Sequence, residues 1–273
     1  IWGPVGGTVN ISLRFYKLLG FGGSMRSVVR NTANFLQLRL SRRVTAAGKR
    51  ASLIVAASTS EKNNLLKRFP SKQIVVVNET GANFATDDKP INKVKPLSLL
   101  WSGTHTPGKA LPLLLEALKD IQSDTPFELT ILGSGKETKR WKQMAGAYQL
   151  NEKIHWVGQV ERSVALDIMK NTDVTVFTSL KEGTPHVVLE SLSLGIPVVC
   201  LDLCGMGDVV TENCGIKIPV QDQQQMSKGF AAAIRTLNAD RTLLARLSKG
   251  ATERAKECNW NNKISTMTKL YSE

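Results

Sequence analysis

DVTVFTSLKEGTPHVVLESLSLGIPVVCL, residues 173–201, reads as a strand, a loop, a helix and a second strand. The strands are DVTVF (173–177) and IPVVCL (196–201), each short, apolar and rich in β-branched residues. Between them Thr184 is placed to cap the first orphan amide, and Pro185 suits the first helical position. A helix is therefore expected from Pro185 to Leu194, stopped by Gly195. Glu182 then lies in the loop and Glu190 on the helix, so two carboxylates flank one turn.

The same alternation extends outward. Further strands are expected at 52–57 (SLIVAA), 73–77 (QIVVV), 97–101 (LSLLW), 127–132 (FELTIL) and 153–157 (KIHWV). Helical patterns such as KALPLLLEALKDI (109–121) and RSVALDIMKNT (162–172) lie between them. Alternating strands and helices with near-continuous apolar strands imply an α/β fold with parallel sheets covered on both faces. In such folds ligands bind at the carboxyl ends of the strands. A boundary is expected in the polar ATDDKPINKVKP, 85–96. It separates residues 1–93, which offer only a few strands and two or three helices, from a fuller pattern over 94–258.

Charge divides at the same place. Of the net +13, residues 1–95 carry +12, with 16 Lys and Arg against 4 Asp and Glu. Arg14, Lys17, Arg26, Arg30, Arg39, Arg42, Arg43, Lys49 and Arg50 fall in one expected helical region, open to anionic lipid, a phosphorylated acceptor or nucleic acid. A solvated face is the simpler alternative. Nucleic acid is the weakest of these partners, because neither a binding motif nor a stacking platform of aromatics is visible. Cys200, Cys204, Cys214 and Cys258 form no CxxC pair, and His105, His155 and His186 give no zinc-ligand spacing. A reduced, cytoplasmic protein is the expectation, with Cys200 in the core. No apolar run reaches the roughly 18 to 20 residues of a membrane span, and IWGPVGGTVN lacks the pattern of a signal peptide.

The turn at 182–185 carries chemistry. The helix after it points unpaired amides, and the positive end of its dipole, at whatever fills the crevice, which suits a phosphate. Glu190 follows His186 by roughly 6 Å of axis, at about 1.5 Å per residue. A diphosphate at the helix start would leave a sugar hydroxyl within reach of Glu190, while Glu182 could grip a second sugar. Spacing alone also allows Glu182 to be a solvated loop charge and Glu190 a surface residue.

EGTPHVVLESLSLGIPVV resembles the Glu-x7-Glu signature of glycosyltransferase family 4, retaining enzymes of GT-B fold. LLWSGTHTPGKALPLLLEAL resembles that family's glycine-then-lysine phosphate loop. ELTILGSG and IHWVGQV are similar to its base-binding strand ends, NCGIKIPV to the next strand, and CNWNNKISTMTKLY to its final helix. The resemblance covers about residues 50–271 and implies two Rossmann-like, doubly wound domains, the amino-terminal one incomplete. Residues 1–93 would be the acceptor-side domain, 94–258 the donor-binding domain, and 259–273 a helix crossing back to the first, anchored by Trp260.

The resemblance also implies roles. Glu190 would bind the ribose of a UDP- or GDP-linked sugar and Glu182 the hydroxyls of the transferred hexose. Amides around Gly183, Thr184, Pro185, His186 and Val187 would meet diphosphate or sugar. Lys109 would neutralise the diphosphate leaving group, in a family that usually needs no metal. Gly103, Thr104 and His105 lie in the lysine loop, Gly133 and Gly135 would admit backbone to the nucleotide, and Gly158 and Val160 would contact the base. Many relatives have Arg where this chain has Thr104, and Arg or Lys where it has Gly108. One lost charge-assisted contact of this kind costs about 1.5 to 3 kcal/mol, and His105 or Lys136 would compensate only in part. Ordinary loop and strand positions are the alternatives for His105 and His155.

WGPVGGT resembles the glycine-rich loop that closes the acceptor-side cleft in part of the family, which assigns Gly3, Pro4, Gly6 and Gly7 to it. A tight turn is the alternative. In a complete GT-B enzyme roughly a hundred residues would precede this loop. The function implied is transfer of a hexose to a glycan or lipid-linked acceptor in polysaccharide or glycoconjugate synthesis; the charge of the first third alone would suit a peripheral position at the inner face of the plasma membrane. A nucleotide-sugar or polyanion binding protein without turnover is the alternative.

Overall fold

The structure is a computed structural model that describes residues 1–82 and 96–272. The boundary expected at 85–96 falls, but for Pro96, outside the described residues.

The chain runs through β1 (Trp2–Val5), α1 (Tyr16–Leu40), α2 (Arg42–Arg50), β2 (Leu53–Ala56), α3 (Thr59–Arg68) and β3 (Gln73–Val76). It continues through β4 (Leu97–Ser102), α4 (Leu111–Ile121), β5 (Phe127–Leu132), α5 (Thr138–Ala147), β6 (Ile154–Gly158), α6 (Arg162–Lys170) and β7 (Val174–Phe177). The last elements are α7 (His186–Ser193), β8 (Val198–Leu201), α8 (Cys204–Val209), β9 (Gly215–Ile218), α9 (Gln223–Ala239), α10 (Arg241–Glu257) and α11 (Trp260–Ser272). None of the described helices is long and apolar enough to cross a membrane.

Two all-parallel sheets result, ordered β1-β2-β3 and β6-β5-β4-β7-β8-β9. Every residue of β2, β7 and β8 is buried, as strands covered by helices on both faces require. On the larger sheet α4 is buried almost all round, through Leu111, Leu113, Leu114, Leu115, Leu118 and Ile121. It lies beneath α9, and its single inward carboxylate, Glu116, accepts from Gln223 Nε2 at 2.5 Å and Ser227 Oγ at 3.0 Å.

Three details differ from the sequence reading. Trp2–Val5 is a strand, where a glycine-rich loop was expected; it lies at the sheet edge, where the missing N–H of Pro4 breaks no ladder. The exposed glycines of the loop proper are Gly6 and Gly7. The helix after the signature turn starts at His186 with Pro185 as its cap residue, and Thr184 makes no capping bond, because its hydroxyl is engaged elsewhere. Trp260, expected as the anchor of α11, is 42% exposed. Met267 and Leu270 hold that helix instead, packing on Leu53, Val55 and Val77 of the smaller sheet.

Candidate functional site

The larger sheet reverses its winding between β4 and β7, where Leu99 pairs with Val174 and Leu100 with Thr175. The chain leaves β4 on one side and β7 on the other, which opens a crevice at the carboxyl ends of these strands. Loops 103–110 and 178–185 form its lips.

The two lips are tied together. The Thr178 hydroxyl accepts from Trp101 Nε1 at 2.9 Å and donates to the Lys109 carbonyl at 2.7 Å, and the Leu180 amide donates to the Gly108 carbonyl at 2.9 Å. Ala110, in a left-handed turn with φ of 48°, then sends the chain into α4 and leaves Lys109 at the crevice. Lys109 Nζ lies 2.5 Å from Glu182 Oε1, which also accepts from Ser179 Oγ at 2.6 Å. The ammonium stands 5.2 Å from the centroid of Phe177 at the end of β7. Two residues separated by 73 positions thus form one half-buried ion pair.

Glu190 lies on α7, 19% exposed, and receives both Nη2 and Nε of Arg162 on Oε1, at 2.7 and 2.9 Å. Arg162 opens α6 just after the Gly158–Val160 segment, so Glu190 faces the same end of the sheet as the strand proposed to meet the base. Nothing in the sequence singled Arg162 out. The amide of Thr184 and its hydroxyl are both engaged by the Glu79 carboxylate, at 2.8 and 3.2 Å. This explains the missing cap. A Cβ at Gly183 would run into the Glu79 carboxylate and push it from its bonds to Thr184.

The loops after β4, β5 and β6 stack backbone to backbone. The Gly133 amide donates to the Gly158 carbonyl at 2.7 Å, and the Gly103 amide to the Leu132 carbonyl at 3.2 Å. Gly133 has φ of 103°, and a Cβ there would strike the Gly103 carbonyl. Thr104 follows Gly103 in that lip, exposed. His105 does not face the crevice. Its ring is fully buried, bonded to Thr138 Oγ1 through Nδ1 at 2.8 Å and ringed by Trp101, Trp141 and Trp156. Burial lowers its pKa below the usual histidine range. The side chain is core, and its expected contact with a donor is withdrawn.

The smaller sheet meets the crevice through Glu61, 5% exposed, which accepts the Gly7 and Thr8 amides at 2.8 Å each and also the Thr8 hydroxyl. Ser58-x-x-Glu61 is legible in sequence as a capping box, and Ser58 Oγ does accept the Glu61 amide at 3.2 Å. The Glu61 side chain pins the glycine loop instead of returning to its own helix. Lys181, in the β7 lip, has a buried Nζ with no hydrogen-bond partner, and burial lowers its pKa. Gly3 and Pro4 sit within β1, away from the loop. All four cysteines are buried and free, and burial raises the Cys200 thiol well above its ordinary value. No group of His, Cys, Asp and Glu that could hold a metal occurs among the described residues.

The topology and the crevice place the protein in the GT-B class of α/β folds. The family model "Glycosyl transferases group 1" matches residues 83–254, and the chain belongs to that family. It is 24% identical over 237 residues to an uncharacterized glycosyltransferase of Methanocaldococcus jannaschii, covering 82% of this chain and 59% of that one. It is 22% identical over 245 residues to a D-inositol 3-phosphate glycosyltransferase of Streptomyces bingchenggensis, covering 82% and 53%. The pneumococcal O-GlcNAc transferase GtfA, solved with UDP and GlcNAc, superposes with a TM-score of 0.68 at 18% identity, over 81% of this chain and 45% of that chain. The chain therefore spans between half and three fifths of the length of these curated relatives.

Proposed function

We propose that the chain is the donor-binding part, with a portion of the acceptor side, of a retaining glycosyltransferase that moves a hexose from a UDP- or GDP-linked sugar to a glycan or lipid-linked acceptor. Residues 94–258 are the donor domain, 1–93 the acceptor side, and 259–273 the helix that joins them. The observation that carries this reading is the Lys109–Glu182 pair at the point where the sheet reverses, with Glu190 on the helix that begins beside it. A relative named for D-inositol 3-phosphate and a structural neighbour solved with UDP and GlcNAc are consistent with it.

In this mechanism Glu190 takes the ribose, and Glu182 takes hydroxyls of the hexose. The amides of His186 and Val187, which have no intrahelical partner at the start of α7, face the diphosphate. The acceptor oxygen bonds to the anomeric carbon on the face from which the diphosphate leaves. The carbon–oxygen bond to the β-phosphate breaks with its electron pair on the diphosphate, and the acceptor's proton passes to that departing oxygen. Lys109 shares its charge between Glu182 and the leaving group, supplying electrostatic stabilisation where charge develops. Position, more than a covalent nucleophile, does the work.

Calorimetric titration of UDP and GDP tests the site. One nucleotide is expected to bind, and Lys109→Ala or Glu190→Ala, shown folded by circular dichroism, to weaken it by roughly 10-fold or more, as loss of a charge-assisted hydrogen bond worth about 1.5 to 3 kcal/mol implies. Folded wild-type protein that binds neither nucleotide would sink the donor reading. Nucleotide-sugar binding with no transfer to any acceptor would favour the binding-only alternative, which Thr104 in place of a basic residue supports.

A further inference from the structure

A groove of about 540 Å³ runs between α1 and α3 on the smaller sheet's side of the molecule. One wall is a single face of α3. Ser60, Asn63, Asn64, Lys67 and Arg68 recur at the three- and four-residue spacing that stacks side chains along a helix, while Leu65 on the opposite face is buried. Asn34, Phe35, Leu38 and Arg39 of α1 form the other wall. Among the described residues, no acidic one lines the groove. Arg39, Lys67 and Arg68 have no acidic partner among the described residues. The Arg68 guanidinium reaches Thr45 Oγ1 at 3.0 Å, yet its Nε is buried with nothing to bond. Burying the Arg68 Nε donor with no partner is costly, and the exposed Arg39 and Lys67 add positive charge beside it that an anion would complement.

The groove also has a direction. At one end Thr8 belongs to both the groove and the loop pinned by Glu61, and Asn64 Nδ2 donates to the Thr8 carbonyl at 3.0 Å. There the first amide of α3, at Thr59, donates to Asp208 Oδ2 of α8 at 2.7 Å, so this end abuts the larger sheet. At the other end, two turns and roughly 12 Å further along α3 at about 1.5 Å per residue, stand Lys67, Arg68 and Arg39. Carboxamides that both donate and accept line the middle, suited to hydroxyls. Phe35, half exposed under the Arg39 guanidinium at 4.9 Å, offers one flat apolar surface. A nucleic-acid strand would want a succession of such rings.

We propose that this groove seats the acceptor, and that the acceptor is a glycan carrying an anionic group, a phosphate or a carboxylate, about 10 Å from the hydroxyl that reacts. The proposal rests on the donor reading above and adds the chemical class of the second substrate. The reacting hydroxyl lies at the Thr8 and Ser60 end, facing the crevice. The anion sits between Lys67, Arg68 and Arg39.

The test uses calorimetry on the full chain with three probes: a hyaluronan tetrasaccharide for carboxylate, glucose 1-phosphate for phosphate, and maltotetraose as the neutral control. At least one anionic probe should bind tenfold or more tightly than maltotetraose, and weaken as salt is raised. Lys67→Glu and Arg39→Glu should each weaken that probe at least tenfold, and Lys67→Arg should restore it. Both side chains are exposed, and thermal melts check that the variants stay folded. Equal affinity for the neutral glycan, or indifference to charge reversal, overturns the proposal. So does displacement of the probe by phosphatidylglycerol vesicles or oligothymidine in a Lys67-dependent manner, which would mark a lipid or nucleic-acid surface. A parallel UDP titration separates the two readings. UDP binding without anionic-glycan binding removes the groove alone, and the reverse removes the donor site alone.

Discussion

His105 shows how one residue's surroundings decide its chemistry. Beside the phosphate-loop lysine in sequence, it stands behind that loop in space, in a cage of three tryptophans. Because burial lowers its folded pKa, the unfolded chain takes up a proton first as pH falls. The stability it allows is fully present above the ordinary value of 6.5 and is lost progressively as pH drops below it. Urea unfolding should show stability falling as pH drops below that value. His105→Gln should flatten the slope, and an unchanged slope would contradict the assignment. Gly183 makes a second case. Gly183→Ala places a methyl against the Glu79 carboxylate and should cost about 1 to 3 kcal/mol through the lost bonds to Thr184. Combining it with Glu79→Ala should lower the melting temperature by less than the two single losses added together, because both variants break the same bonds to Thr184.

Helix α4 has little tolerance, being buried almost all round and packed against α9 and α5. Leu114→Ala should destabilise the protein by about 2 to 5 kcal/mol, read by denaturant unfolding. Helix α7 is pinned from below by Ser191 Oγ, which donates to the Val187 carbonyl at 2.7 Å and meets Thr175 Oγ1 of β7 at 2.8 Å. That bond fixes which face of α7 presents Glu190. Ser191→Ala should therefore lower stability by about 1 kcal/mol, leaving Thr175 Oγ1 buried without it, and weaken nucleotide binding beyond what global unfolding explains. The elements themselves were legible where apolar periodicity was strong, as in β2, β4, β5, β7 and α4. Strand β1 was not, because Gly3 and Pro4 interrupt any alternation, and only its edge position tolerates them.

At the scale of the molecule, the two sheets are held by polar contacts at the crevice and by α11 behind it. Glu79 reaches Thr184 and Asp208 reaches Thr59, while the Ala82 amide bonds to the Cys258 carbonyl at 2.9 Å. Met267 and Leu270 then close α11 over Val55 and Val77. Leu270→Asp should free this helix, so limited proteolysis is expected to trim the last residues first while the larger sheet's melting transition stays in place. Equal protease resistance in variant and wild type would show that α11 is held by other contacts.

Lys109 stood out only through the family resemblance, whereas the residues alone determined most of the order of strands and helices, their parallel arrangement and the turn that sets Glu182 and Glu190 eight positions apart. Those features are written locally, in apolar periodicity, turn residues and motif spacing, which depend on short-range geometry. Tertiary structure alone decided that Lys109 and Glu182 are an ion pair, that Glu190 is held by Arg162, that Glu79 fills the amide of Thr184 and that Glu61 pins the glycine loop. It also turned His105 inward and brought the free cations of α1 and α3 to one groove. Each of these is a meeting of side chains remote in sequence. Charge, hydrogen bonding and burial at such meetings are set by which elements pack together, and no spacing along the chain encodes that.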